Sequence, residues 1–144
     1  MTRYLIDTNI ISEATRPKPS PDVLAWLGNQ PDTDLFVAAF TIGELFRGIL
    51  NLPSGRKRAA LEQWFEGPEG PLSLFHGRIL PLDTASSRAW AKLMIDGRQT
   101  GRPRDPLDTI IAAIAVAHDC TVVTLNDRDF RGVPVNNPVR PRKP

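Results

Sequence analysis

The stretch Arg104 to Phe130, RDPLDTIIAAIAVAHDCTVVTLNDRDF, decides the fold. Its centre, Ile110 to Ala117, is eight residues without one polar side chain, and a helix apolar on every side belongs inside a protein. Acidic residues stand at both ends: Asp105 and Asp108 before the apolar run, Asp127 and Asp129 after the β-branched segment Thr121-Val122-Val123-Thr124. A helix from Pro106 to His118 is ~20 Å long at 1.5 Å per residue. The turn at Asp119-Cys120 reverses the chain, and a strand of four or five residues returns ~13–16 Å. The two acidic ends are thereby brought near each other. In an open α/β layer, the carboxyl ends of strands and the amino ends of helices share one edge, where ligands bind.

Outward from this stretch, the chain alternates strand and helix signals. Arg3 to Ile6 reads as a first strand ending on Asp7-Thr8-Asn9, with a short helix through Ile10, Ile11 and Ala14 behind it. Ser20 before Pro21 caps a helix to Gly28, with Val23, Leu24 and Leu27 on one face. Leu35 to Ala39 is a second strand, and Thr41-Ile42-Gly43-Glu44 has the form of a capping box opening a helix through Leu52. Ser54 can cap the next helix, which carries Leu61, Trp64 and Phe65 before Gly67 ends it. The Gly- and Pro-rich segment to Gly77 reads as a loop. Arg78 to Leu82 is a third strand at a position that tolerates Pro81. Asp83 or Thr84 caps a helix to about Asp96, and residues 97–103 form a basic loop leading to Asp105. Val133 to Val135 adds a last short strand.

Such alternation implies a parallel sheet of four or five strands covered on both faces. With right-handed crossovers every strand ends at one edge. Asp7, Glu44, Asp83, Asp108, Asp127 and Asp129 are then expected at or near that edge.

The 144 residues suit one domain, read as residues 1–139 with a basic tail at residues 140–144. Hydrophobic content of 41% and charged content of 24% fit an ordinary soluble protein. No apolar run reaches the ~18 residues of a membrane span, and the N-terminus enters a strand with no secretory signal. A cytoplasmic protein is expected. The single cysteine, Cys120, excludes an internal disulfide and a Cys-rich zinc site. Net charge is only +2, but Arg98, Arg102 and Arg104 fall in one segment. Basic loops beside an acidic edge suit a polyanion.

Each acid has a structural explanation when taken alone. Glu44 would be the third residue of its capping box, Asp105 an N-cap, Asp108 the third residue after it, and Asp83 a cap of its own helix. Together they are harder to explain in that way, because carboxylates within ~4–6 Å repel and raise one another's pKa unless a cation intervenes. Oxygen donors without cysteine, and with His76 and His118 placed elsewhere, point to Mg²⁺ or Mn²⁺.

Four blocks carry a family resemblance: Tyr4-Leu5-Ile6-Asp7-Thr8-Asn9, Thr41-x-x-Glu44, Asp108-x-x-Ile111-Ala112-Ala113-x-Ala115 and Thr124-x-Asn126-x-x-Asp129-Phe130. In this order they resemble the signature blocks of PIN-domain ribonucleases, and more closely the VapC-type toxins of bacterial toxin–antitoxin pairs, including the FitB-like branch. Residues 132–138 resemble the family's ending, from which Val139 departs where an aromatic often stands.

The resemblance implies a PIN-like three-layer α/β sandwich and a metal-dependent endoribonuclease that hydrolyses RNA phosphodiesters with Mg²⁺ or Mn²⁺. It places catalytic and metal-holding roles on Asp7, Glu44, Asp108 and Asp129, with Thr8, Asn9, Thr124 and Asn126 supporting them. Asp127 is an extra acid that can serve instead of, or beside, Asp129. Arg98, Arg102, Arg104 and Arg128 are expected phosphate contacts. The implied partners are RNA, a second copy of the chain, and a small DNA-binding antitoxin that docks near the acidic site and builds a higher assembly; whichever of Ile10, Ile11, Leu45, Phe46 and Leu50 are exposed can form its groove, most of them being expected in the core.

Other classes fit less well. A phosphate-accepting receiver domain needs a Lys that Thr124 to Asp129 lacks, and a haloacid-dehalogenase-like phosphatase needs Asp-x-Asp where Asp7-Thr8-Asn9 stands. The alternative is a non-catalytic binding module of the same fold.

Overall fold

Five strands form the expected parallel sheet, and helices cover both of its faces in a three-layer sandwich. The computed structural model describes residues 2–139; the expected basic tail, residues 140–144, lies outside the described residues. In chain order the elements are β1 (Tyr4–Ile6), α1 (Thr8–Ala14), α2 (Pro21–Gly28), β2 (Leu35–Ala38), α3 (Ala39–Leu50), α4 (Arg56–Glu66), α5 (Pro71–Leu74), β3 (Ile79–Leu80), α6 (Thr84–Gln99), α7 (Asp108–Ala117), β4 (Thr121–Val123) and β5 (Val135–Asn136), with 3-10 turns at Asp32–Asp34 and Asp127–Phe130. The strand order is β3-β2-β1-β4-β5, and every neighbouring pair is parallel. β1 lies at the centre, with Leu5 opposite Phe36 on one side and Val122 on the other.

Burial follows the period of two that a strand imposes. Leu5 and Val122 face a core completed by Ile111, Ala112, Ile114 and Ala115 of α7. Ile6 and Val123 face the opposite core, completed by Ile10 and Ile11 of α1, Val23 of α2, Leu45 and Ile49 of α3 and Phe65 of α4. The central strands carry apolar side chains on both faces, Leu5 and Val122 on one and Ile6 and Val123 on the other, because both are covered. The middle of α7 is inside as expected, with Ala112, Ala113, Ile114 and Ala115 wholly buried and α6 packed along it, but Val116 in the same apolar run is 47% exposed. Cys120 is buried beside β4. The reversal between α7 and β4 runs through Asp119, a non-glycine residue held at φ 55°, a conformation that Asp tolerates better than most residues.

Several boundaries differ from the sequence reading, the last strand among them, which is Val135–Asn136 and not Val133 to Val135. The α3 helix begins at Ala39, directly off β2, with Ala38 at its N-cap and no side-chain cap bond. Thr41-x-x-Glu44 is therefore not a capping box: Thr41 is buried in the first turn and Glu44 lies in the helix interior. Ser54 does not cap α4, whose N-cap is Gly55. Residues 67–77 are not wholly a loop, since Pro71 starts the single turn α5. Finally, α6 runs past Gly97 to Gln99 because Gly97 lies buried against the following loop. Strand β3 is only two residues long and sits at the sheet edge, the position that Pro81 allows.

Candidate active site

The site is built where β1 and β4 end and α1, α3 and α7 pass. Asp7 follows β1 directly, is 9% exposed, and caps α1 by accepting a 2.8 Å hydrogen bond from the Thr8 N–H at Oδ1. Its Oδ2 accepts a 2.8 Å bond from the Thr124 hydroxyl at the end of β4. That hydroxyl is a hub, for it also accepts from the Asn9 amide at 3.3 Å and from the Asn126 backbone N–H at 3.0 Å. Asn9 in turn accepts from the Leu125 N–H through its Oδ1 at 3.2 Å. The two central strand ends are thus stitched together around one buried carboxylate.

Glu44 reaches the same place from the middle of α3. Its Oε1 accepts a 2.8 Å hydrogen bond from the Thr8 hydroxyl, so the carboxylate is held by α1 and not by the amino end of its own helix. Asp105 does cap α7: its Oδ1 accepts from the N–H groups of Leu107 and Asp108 at 2.9 and 3.0 Å. Those bonds leave the Asp108 side chain, two residues past Pro106, free of the capping role. Asp129 sits in the 3-10 turn after β4, where its Oδ2 accepts from the Asn126 side-chain amide at 2.6 Å.

Asp7, Glu44, Asp108 and Asp129 line one cleft of about 400 Å³ together with Thr8 and Asn9. The cleft is electrostatically crowded. Burial, with repulsion from Glu44 and Asp129, lifts the Asp7 carboxyl from 3.8 to about 6 despite its two hydrogen bonds. Asp108 is pushed the same way by burial and by Asp105, Asp129 and Glu44. Among the described residues no three carboxylate, thiol or imidazole groups are drawn together as a ready-made metal cage. The donors are hard oxygens, and Mg²⁺ keeps several of its own waters while binding through one or two carboxylates, so an open acidic cleft fits this ion without a closed cage.

Other expected residues fall elsewhere. Asp83 does not join the cluster. It caps α6 through Ser86 and lies 3.3 Å from Nε2 of His118, at the far end of α7 from Asp108. Asp127 lies outside the cleft lining, with its Oδ1 accepting from the Asn137 amide at 3.0 Å. Arg102, Arg104 and Arg128 line an adjoining cavity; Arg98, in the last turn of α6, lines neither. Of the apolar residues expected to receive a partner, Ile10, Ile11 and Leu45 are core, whereas Phe46 and Leu50 are exposed. Sequence reasoning missed Ser12, Glu13 and Arg16, which also line the acidic cleft. Arg16 pairs with Glu13 at 3.2 Å. The signal was available for two of them: Ser12 is one helical turn beyond Thr8 and Glu13 one turn beyond Asn9, whereas Arg16 lies past the end of α1 and spacing does not place it.

The sequence matches the PIN domain over residues 4–136. The VapC ribonuclease Y4jK of Sinorhizobium fredii is 36% identical over 139 residues, covering 95% of this chain and 98% of that protein. Toxin FitB of Neisseria gonorrhoeae is 37% identical over 126 residues, covering 88% of this chain and 89% of that one. A chain in the solved structure of FitAB bound to an IR36 DNA fragment superposes with a TM-score of 0.90 at 34% identity, covering 97% of this chain and 98% of its own. With its sheet order, acidic cleft and these relatives together, the chain belongs to the PIN domain family.

Proposed function

We propose that this protein is the toxin of a bacterial toxin–antitoxin pair, an endoribonuclease that hydrolyses RNA phosphodiesters with the help of Mg²⁺ or Mn²⁺. The observation that carries the reading is the convergence of Asp7, Glu44, Asp108 and Asp129 from four separate elements on one cleft. Only one of the four, Asp7, makes a hydrogen bond to a helix-start N–H, so capping does not explain the set. Relatives named as a VapC ribonuclease and as toxin FitB support the activity class.

Asp7, Glu44, Asp108 and Asp129 would hold the metal. When bound, the ion supplies positive charge to the phosphodiester and makes water a stronger nucleophile at neutral pH. The chain's own residues do the rest. Thr124 and Thr8 fix the Asp7 and Glu44 carboxylates by hydrogen bonds that keep one oxygen on each group oriented. Asn126 orients Asp129, which would serve as metal ligand or as the base that orients the attacking water. Asp127, bonded to Asn137, is assigned no catalytic role.

The partners follow from the same relatives. FitAB is solved as a complex on DNA, and for this chain we propose a small DNA-binding antitoxin, a homodimer and a higher assembly. No helix among the described residues is long and apolar enough to cross a membrane, and we propose action in the cytoplasm. The test is cleavage of total RNA by the purified chain with sequencing of the new 5′ ends. Discrete ends should form with Mg²⁺ or Mn²⁺ and vanish with EDTA or in Asp7→Asn; no new ends with either ion would leave the protein a binding module, and ends independent of both metal and Asp7 would refute the proposed site.

A further inference from the structure

A second cavity, of about 530 Å³, opens beside the acidic cleft and shares Asp108 and Asp129 with it as a common wall. Its other side is basic: Arg102 and Arg104 come from the loop before α7, Arg128 and Arg131 from the turn after β4. We propose that this cavity is a subsite for a single-stranded RNA backbone, in which the four guanidiniums hold the phosphate next to the one being cleaved. The identity of the anion rests on the nuclease reading; the site itself rests on the following geometry.

Acids also line the cavity, yet among the described residues none of the four arginines is in an ion pair. Asp105 is committed to the N–H groups of Leu107 and Asp108, and Asp129 accepts from Asn126. Asp96 and Asp108 also line the cavity, so its four guanidiniums stand among four carboxylates, two of which, Asp108 and Asp129, are shared with the acidic cleft; the arginines, without ion partners among the described residues, are the groups left for an anionic ligand. Arg104 is also held in place. Its Nη2 donates to the Arg131 carbonyl at 2.7 Å, tying the two basic segments together, and its Nε is buried without an acceptor. The loop can lie this close to α6 because residue 97 is glycine: a Cβ there would stand 2.7 Å from the Arg102 carbonyl oxygen and 2.9 Å from Cγ of Arg104. Gly132, at φ 77°, turns the chain on the other side, and a Cβ there would meet Arg104 Nη2 at 3.6 Å. A guanidinium held between a helix that glycine lets come close and a glycine-dependent turn is preorganised for phosphate, unlike a solvated surface arginine. Since the two cavities meet at Asp108 and Asp129, a polymer crossing that wall offers one phosphate to the carboxylates and its neighbour to the arginines.

The experiment is binding of a fluorescent 2′-O-methyl twelve-nucleotide single strand to the full chain in EDTA, across a salt titration, where no cleavage can occur. Arg104→Gln and Arg128→Gln should each weaken binding about ten-fold, the share of one charge-assisted contact. Each should flatten the log–log salt slope by about 0.7. Arg98→Gln removes the same charge nearby and should change affinity by about two-fold or less. Gly97→Ala keeps every charge and should weaken binding through the displaced loop, with circular dichroism checking the fold. With Mg²⁺ and cleavable RNA, Arg104→Gln should raise KM and leave kcat largely intact. Equal losses in Arg98→Gln and Arg104→Gln, or no loss in Arg104→Gln and Arg128→Gln, would overturn the subsite. Arginine-dependent binding without any cleavage would keep the subsite and remove the nuclease, whereas arginine-indifferent cleavage would do the reverse.

Discussion

Replacing Asp7 with Asn should stabilise the metal-free protein at neutral pH while abolishing cleavage, a combination that a merely structural carboxylate would not give. Asp7 is 9% exposed, and burial, seconded by Glu44 and Asp129, lifts its carboxyl from 3.8 to about 6. The folded state therefore prefers this group protonated. Its contribution to stability is fully present below the unfolded value of 3.8 and is lost as pH rises through 6. At 1.36 kcal/mol per unit, the loss is about 3 kcal/mol by pH 7.5. Asn carries no charge to bury, but it must reuse the bonds from Thr8 and Thr124, and an imperfect fit costs about 1 kcal/mol. The expected gain is about 2 kcal/mol at pH 7.5, shrinking to zero or below near pH 4. Urea unfolding in EDTA at the two pH values measures it. Added Mg²⁺ should then stabilise the native chain and leave Asp7→Asn unmoved, reversing their order. A variant that is less stable than the native chain at pH 7.5 in EDTA, or a difference that does not change with pH, would refute the reasoning.

Glu44→Gln should leave stability within about 0.5 kcal/mol, since Glu44 caps nothing and Gln can still accept from Thr8, while Mg²⁺ affinity measured by calorimetry falls at least about ten-fold. Thr124→Val removes the hydroxyl that serves Asp7, Asn9 and Asn126; urea titration should show a loss of about 1–3 kcal/mol. Because that hydroxyl lowers the Asp7 pKa, the acid limb of the pH–rate profile should move to higher pH. Asp129→Asn should cut kcat by about 100-fold or more, and Asp127→Asn should cut it much less, as read in one RNA cleavage assay. EDTA should stop cleavage, with Mn²⁺ restoring it as well as Mg²⁺ does.

Much of this was legible in residue order. The apolar run Ile110 to Ala117 placed a buried helix, and the alternation around it placed a parallel sheet, because no other arrangement covers strands such as Tyr4–Ile6 and Thr121–Val123 on both faces. Asp7, Asp108 and Asp129 followed as residues at strand and helix ends facing one edge, while Glu44 was expected at a helix start and reaches the cleft from the interior of α3. Illegible were features decided by tertiary packing. Thr41-x-x-Glu44 has the letters of a capping box, but β2 runs straight into α3, so the N-cap is Ala38 instead of Thr41 and the letters lose that meaning. Asp83 follows a strand like Asp7 does, yet strand β3 is short and lies at the edge, and its acid ends beside His118 at the opposite end of α7. The proposed preference for Asp129 over Asp127 rests on the cleft lining and on the bonds to Asn126 and Asn137, contacts that spacing alone does not reveal.

The failed capping box bears on function as well as on fold. A carboxylate at a helix start is stabilised by free N–H groups and needs no other purpose; one in a helix interior that turns toward two other acids has no such compensation. Glu44 is of the second kind, and the fold tolerates it only through the Thr8 hydroxyl. The small side chains of α7 complete the arrangement: Ala112, Ala113 and Ala115 are wholly buried, so the helix can approach the sheet and α6 closely, and its first turn carries Asp108 to the cleft that Asp7 and Glu44 line. Enlarging Ala112 or Ala113 would overpack this contact and push Asp108 outward, which ties the spacing of the acids to the least polar stretch of the chain.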